Sequence, residues 1–230
     1  MAHFVVHQSP ITNHGSNPVS VLIDISRPLA TSTAHWPGDT PFDFSLPVRR
    51  AAGTGINVGA FNASTHFGTH LDAPFHFTDS TETIDQLDLG VCYGEALVVD
   101  VCGQSLIGPE LLPDGLPKRI LLRTDSWLSS GEFPISIPTL SLEAVRKLAA
   151  QNVTLVGVDV PSVDQLDSKD LPIHHALYRA GITILESVFL ADVTPGRYLL
   201  AAFPLPISGG DAAPVRAVLI QQEPKKSTAD

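Results

Sequence analysis

Eight stretches of the chain are rich in Val, Ile, Leu and Phe and bounded by Gly or Pro: Val19–Ser26, Gly55–Ser64, Gly94–Cys102, Arg119–Thr124, Val153–Val160, Ile182–Val188, Arg197–Phe203 and Pro214–Gln221. Apolar runs of this length predict strands. Two stretches carry helical spacing instead. In Ser141–Ala150, Ser141 can cap, Glu143 falls in the first turn, and Leu142, Val145, Leu148 and Ala149 recur on one face. In Leu171–Ala180, Pro172 opens the first turn and Gly181 ends the last. Two helices supply at most two crossovers between strands, so the pattern predicts a mixed-sheet α/β domain rather than a doubly wound one.

The 230 residues suit one domain, expected over 19–222. The polar ends, 1–18 and 223–230, are expected to fray. A hydrophobic fraction of 43% with 17% charged residues supports a buried core. Fourteen Lys+Arg against 24 Asp+Glu give a formal charge of -10, which repels phosphates and argues against nucleic acid or an anionic membrane as partner. Apolar runs such as Ala96–Val99 and Ile182–Leu185 fall far short of the ~20 residues that span a bilayer. The first residues carry neither a basic nor an apolar leader region, so the expected compartment is the cytoplasm. Cys92 and Cys102 are too few for a disulfide framework or a four-cysteine zinc site, and both are expected to be reduced, packed around one strand.

The informative stretch is Ser64–Thr78, STHFGTHLDAPFHFT, which places His66, His70, Asp72 and His76 in a short window. Their spacings are all even, so an extended segment puts the four side chains on one face, whereas a helix rotates them apart. Gly68 and Pro74 oppose either regular form throughout, leaving a tight loop or a strand bending into a turn of helix. Imidazole with carboxylate suits zinc, manganese or iron, and three protein ligands with an unfilled position is how catalytic metal sites are built. Downstream, Pro172-Ile173-His174-His175 precedes Glu186, a carboxylate inside the apolar run ITILESV. Burying it carries a desolvation cost that a metal ion or hydrogen bonds must offset, and an alternating strand pointing it to solvent is the even alternative. Of the two adjacent histidines, one must face away from the other's partner.

With these motifs the chain resembles the kynurenine formamidases (arylformamidases) of the metal-dependent, cyclase-like amidohydrolase superfamily, from about Asp24 to Leu219. The resemblance rests on HFGTHLDAPFHF (His66–Phe77), HWPGDTP (His35–Pro41), LLRT (Leu121–Thr124), GVDVPSVDQLDSKDLPIHH (Gly157–His175), ILES (Ile184–Ser187) and APVRAVL (Ala213–Leu219). It implies a single α/β domain with a mixed, barrel-like β-sheet and a few flanking helices, of the swivelling β/β/α type, assembled as a homodimer or higher homo-oligomer. It implies two Zn2+ ions per subunit, with Mn2+ as the alternative. His66, His70 and Asp72 would hold one ion, and Asp72 would bridge to a second held by His174 and Glu186. His76 would be the catalytic proton donor and acceptor, and Trp36 would line the substrate pocket. Ser187 stands where the resemblance leads one to expect glycine, and His175 adds an imidazole beside the ligand.

The expected activity is hydrolysis of N-formyl-L-kynurenine to L-kynurenine and formate, a step of tryptophan catabolism. Another amide, or a lactam such as isatin, is the rival substrate on the same metals. A non-catalytic metal- or small-molecule-binding protein is the rival of another class, and His76 speaks against it, since an imidazole beyond the ligands serves a hydrolase and not a binder. Phe61, Phe67, Phe75 and Phe77, with Trp36, are candidates for an aromatic wall. No Gly-x-Ser-x-Gly elbow occurs, which disfavours a serine hydrolase. Ser208-Gly209-Gly210-Asp211 reads as a turn, and Ser168-Lys169-Asp170 as a capping helix entry.

Overall fold

The computed structural model describes residues 8–11 and 20–221. Strands β1 (Gln8–Ile11), β2 (Ser20–Asp24), β3 (Asp43–Val48), β4 (Val58–Asn62) and β5 (His70–Asp72) come first. They are followed by β6 (Tyr93–Asp100), β7 (Leu106–Ile107), β8 (Arg119–Arg123), β9 (Thr139–Leu140) and helix α1 (Leu142–Ala150). The chain continues with β10 (Leu155–Val158), helix α2 (Pro172–Arg179), β11 (Thr183–Glu186), β12 (Gly196–Ala201), β13 (Ala212–Pro214) and β14 (Val218–Gln221). The tail at 223–230 lies outside the described residues, as does most of 1–18, within which β1 pairs with β2.

Ten strands form one sheet in the order β1-β2-β14-β12-β6-β8-β10-β11-β5-β13. Its centre, β6-β8-β10-β11, is parallel, and the flanks are antiparallel. The parallel part follows from the two helices, because α1 carries the chain from β8 toward β10 and α2 from β10 to β11. β10 is buried throughout and β8 nearly so, as strands covered on both faces must be.

The sheet curls. Ile23 and Leu219 from one end share a core cluster with Leu71 and Ala213 from the other, alongside Leu121, Leu155 and Leu185. Backbone bonds close the gap: Ile25 N–H donates to Ala217 O at 3.0 Å and Phe189 N–H to Ile25 O at 2.8 Å. Alternate residues of the same strands, Ile120, Leu122, Val156, Val158 and Ile184, turn outward to a second core under the helices. There α1 buries Ala144, Val145 and Leu148, capped by Ser141 Oγ accepting from Ala144 N–H at 3.0 Å, and α2 buries Ile173 and Leu177. Each fully buried leucine contributes about 1.5–3 kcal/mol. Gly157 is required in β10, since a Cβ there would sit 2.3 Å from Leu121 Cδ2.

Two strand expectations change. Gly55–Ser64 contains β4, but β4 pairs only with β3 in an exposed hairpin outside the main sheet, every residue of it open. Its apolar content is genuine, yet among the described residues no other layer covers it. Pro214–Gln221 divides into β13 and β14, because Val215 N–H is taken by Thr69 O and the chain then crosses to the opposite end of the curled sheet. Cys92 and Cys102 are free and flank β6, as expected.

Candidate metal centre

The site lies at the carboxyl ends of the parallel strands, where open α/β sheets place their crevices. In β5, Leu71 points into the inner core, so His70 and Asp72 emerge on the opposite face. Glu186, last in β11, lies directly across from His70 and shares that face. Glu186 is only 4% exposed, which removes the solvent-facing alternative. His66 arrives from a turn in which its N–H donates to Ser64 Oγ at 3.2 Å and fully buried Phe67 anchors the next position. Past Asp72 the chain bends into a 3-10 turn, Pro74–His76, so the strand-into-helix alternative describes the stretch. Gly68 stands at φ 70 to make the entry turn.

His174 comes from the first turn of α2. Asp164 accepts from Ile173 N–H at 3.0 Å and His174 N–H at 3.0 Å, satisfying the helix end, and from His174 Nδ1 at 2.7 Å. Neighbouring His175 turns away and packs edge-on to Phe77. Ser168 Oγ accepts from Leu171 N–H, in keeping with a helix-entry role.

These pieces converge. Asp72 Oδ1 lies 3.2 Å from His66 Nδ1 and 3.3 Å from His70 Nε2, while Oδ2 lies 3.7 Å from His174 Nε2. Glu186 Oε1 is 3.5 Å from His174 Nε2 and Oε2 is 3.6 Å from His70 Nε2. Three donor groups result, His66–His70–Asp72 and Asp72–His174–Glu186, with Asp72 in both, and the more open His66–His76–Asp211. His70 Nε2 and both oxygens of Asp72 are buried without a hydrogen-bond partner. Buried polar atoms seldom remain unsatisfied, and three orphans facing one another among imidazoles fit a cation between them. Each histidine also has its other ring nitrogen held: His66 by Asp211 at 3.1 Å, His70 by Gly68 O at 2.9 Å, His174 by Asp164. Metal-ligating histidines are oriented this way.

Electrostatics agree. Burial lowers the His66 pKa, but the hydrogen bond to Asp211 and the facing Asp72 carboxylate overcome it and raise the value to about 10. His174 likewise rises to about 10, burial being outweighed by Asp164 and Glu186. Asp72 falls well below the carboxylate range, burial notwithstanding, because His66 and His70 face it. Glu186 rises through burial and the charge of Asp72. Without an ion, protons on the imidazoles balance the acids. His76 behaves oppositely: burial and the charge of His66 lower it to about 4. Its ring sits 4.0 Å from that of His66, at the mouth of the site.

A cavity of about 370 Å³ opens over these residues, lined on its far side by His35, Trp36, Trp127 and Phe133. Trp36 does line it, edge-on to Phe133. Of the four phenylalanines considered for an aromatic wall, none does: Phe67 is core, Phe61 stacks on Phe42 in the hairpin, Phe75 is exposed, and Phe77 packs against His174 and Tyr178. The missed wall residue Trp127 is fixed by buried Arg27, whose guanidinium lies 3.6 Å over its ring. Asp164 and Asp211 were also missed. Asp164 stood inside a quoted motif eight residues before α2, and Asp211 inside a segment that its glycines mark as a turn.

The family model described as putative cyclase matches residues 23–165. The chain belongs to the cyclase family. Within it, this cyclase-family chain is 44% identical over 201 residues to the kynurenine formamidase of Bacillus thuringiensis (strain Al Hakam), covering 86% of this chain and 96% of that one. The fold matches a solved potential metal-dependent hydrolase with cyclase activity at a TM-score of 0.77, 24% identity, over 89% of this chain and 100% of that one. It matches isatin hydrolase A of Labrenzia aggregata at 0.77 and 21%, over 89% and 94%. The curled sheet with two helices is therefore the cyclase-family fold.

Proposed function

We propose that this cyclase-family chain is a metal-dependent kynurenine formamidase that hydrolyses N-formyl-L-kynurenine to L-kynurenine and formate in tryptophan catabolism. The observation that carries the reading is the pair of donor groups sharing Asp72, with orphaned buried atoms at their centre and His76 beside them outside both. The 44% identity to a curated kynurenine formamidase over most of both chains supports the substrate. Isatin, the second reading, is favoured only by the fold neighbour at 21% identity.

His66, His70 and Asp72 would hold one ion, and Asp72, His174 and Glu186 a second, zinc being a metal that this donor set suits. When bound, such ions lower the pKa of water toward 7 and polarise the carbonyl under attack. The chain's own residues do the rest. His76, at the mouth of the site, takes the proton as the water oxygen bonds to the formyl carbon. As the C–N bond breaks, it returns that proton to the arylamine nitrogen. Trp36, Trp127 and Phe133 present an apolar wall for the aryl ring and exclude water from it. Burial of His70, Asp72, His174 and Glu186 strengthens every charge interaction among them. We place the enzyme in the cytoplasm as a homodimer, the uncovered β3–β4 hairpin with Phe44, Val58 and Phe61 exposed being the surface that a second copy would cover. Among the described residues, no helix is long and apolar enough to cross a membrane.

The test is turnover of N-formyl-L-kynurenine by protein of measured metal content, with isatin and formanilide alongside. Selective deformylation that stops on metal removal is the expected result. Opening of isatin with no deformylation would transfer the site to the lactam.

A further inference from the structure

Asp211 has no part in the two donor groups that share Asp72, yet its carboxylate touches the site from outside. It sits in the turn before β13, where its backbone O accepts from Ala73 N–H at 2.9 Å, tying it to the strand that carries His70 and Asp72. Oδ1 accepts from Thr65 Oγ1 at 2.7 Å. Oδ2 lies 3.1 Å from His66 Nε2 and 3.9 Å from His76 Nδ1. One carboxylate oxygen thus faces a candidate metal ligand and the candidate proton carrier, whose rings lie 4.0 Å apart.

We infer that Asp211 is the positioning residue of the open end of the site, fixing which nitrogen His66 turns inward and holding the His76 ring at its working angle. A hydrogen bond to His66 Nε2 leaves Nδ1, 3.2 Å from Asp72, as the atom free to bind metal. His174 supplies the comparison within the same molecule, since Asp164 takes its Nδ1 and leaves Nε2 inward. The difference is that Asp164 serves a single imidazole, while Asp211 stands between two. Thr65 fixes the other oxygen, so the carboxylate cannot rotate without losing that bond. The two roles are separable because His66 is hydrogen-bonded to Asp211, whereas His76 Nδ1 faces the same oxygen from 3.9 Å without a direct hydrogen bond.

This inference rests on the metal-hydrolase reading, so its test includes readouts that need no substrate. Asp211→Ala, Asp211→Asn and Thr65→Val are compared with wild type for cobalt affinity by chelator competition, the visible spectrum of the cobalt-loaded protein, kcat and KM for N-formyl-L-kynurenine, and melting temperature. Asp211→Ala is expected to weaken cobalt binding about 10-fold or more, change the cobalt spectrum, and lower kcat about 10- to 100-fold with KM nearly constant. Asp211→Asn retains an acceptor oxygen for His66 and should restore the cobalt affinity while leaving kcat low. Thr65→Val should fall between Asp211→Asn and wild type. Unchanged affinity and spectrum in Asp211→Ala would overturn the inference, as would melting of both Asp211 variants far below wild type, which would make the role structural. If wild type fails to deformylate, the proposed substrate falls while affinity and spectrum still decide the role of Asp211.

Discussion

The two ends of the centre are built from the same chemistry in different surroundings. At one end His174, Glu186 and Asp164 are each at most 4% exposed, fixed by a helix start and a strand end. At the other, His66 and Asp211 are half-buried and His76 is exposed, all three on turns. Identical carboxylate–imidazole pairs therefore do different work. The buried pair is part of the fold, because Asp164 also satisfies the first turn of α2, whereas both members of the open pair line the 370 Å³ cavity, which the buried end reaches through His174 and Glu186. Rigid elements hold the buried charges, and turns present His76, to which the proposed mechanism gives the proton transfer.

The largest test of this contrast is His76→Ala. Proton transfer by a positioned side chain is worth about 10²–10⁴-fold, so kcat should fall by that much with metal content and melting temperature unchanged. Loss of metal instead would place His76 among the ligands, with His66 and Asp211, a third grouping that the geometry allows.

Asp164→Ala should act on the buried end in a different way. Losing the acceptor for His174 Nδ1 weakens metal binding about 10- to 100-fold. Losing the helix-end acceptor costs about 0.5–2 kcal/mol in addition. Metal affinity and stability should thus fall together, measured by chelator competition and denaturant titration. A variant of full stability with weakened metal would show that the cap and the ligand brace are independent.

Much of this contrast could be read in the chain. The even spacing from His66 to His76 marked side chains that the structure does bring together, and Glu186 in ITILESV stood out because a carboxylate breaks an apolar run. Ser141 and Pro172 marked both helices nearly to the residue. What could not be read depends on tertiary closure. β5 has three residues and no pattern of its own, its strand state being imposed by β11 and β13 on either side. Asp211, 145 positions from His66, meets it only because β13 pairs with β5, and Trp127 becomes a wall only because Arg27, one hundred positions away, lies over its ring. The hairpin β3–β4 shows the converse, an apolar content left exposed among the described residues.

The ends also differ in how protons exchange for metal. With folded values raised to about 10 from 6.5, His66 and His174 contribute stability that is fully present below about pH 6.5 and lost as pH rises through about 10. The metal-free protein should therefore melt lower at pH 9 than at pH 6, while the metal-loaded protein should not, since binding strengthens as the imidazoles lose protons. Loading at pH 7 should release about two protons, read by calorimetry in buffers of different ionisation enthalpy. The His66 side chain is 15% exposed against 4% for His174, so solvent screens its contribution somewhat more.

The smallest effect is expected at Ser187, where the two ends meet the cavity. Its N–H donates to Val160 O at 3.0 Å and its O accepts from Thr69 Oγ1 at 2.7 Å, and these bonds hold it at φ 61, a conformation natural to glycine. Ser187→Gly relieves about 1–2 kcal/mol of strain and gives back about 0.4–1 kcal/mol through the freer unfolded chain. Stability should therefore rise by about 1 kcal/mol or less, read from the denaturant midpoint. Ser187 lines the cavity beside Glu186 and is in none of the donor groups, so its side chain can be removed without touching a donor atom. KM should move by about threefold or less. A fall in stability would mean that the hydroxyl contributes more than the strain costs, and a large rise in KM with kcat intact would make Ser187 a binding contact that glycine at this position cannot supply.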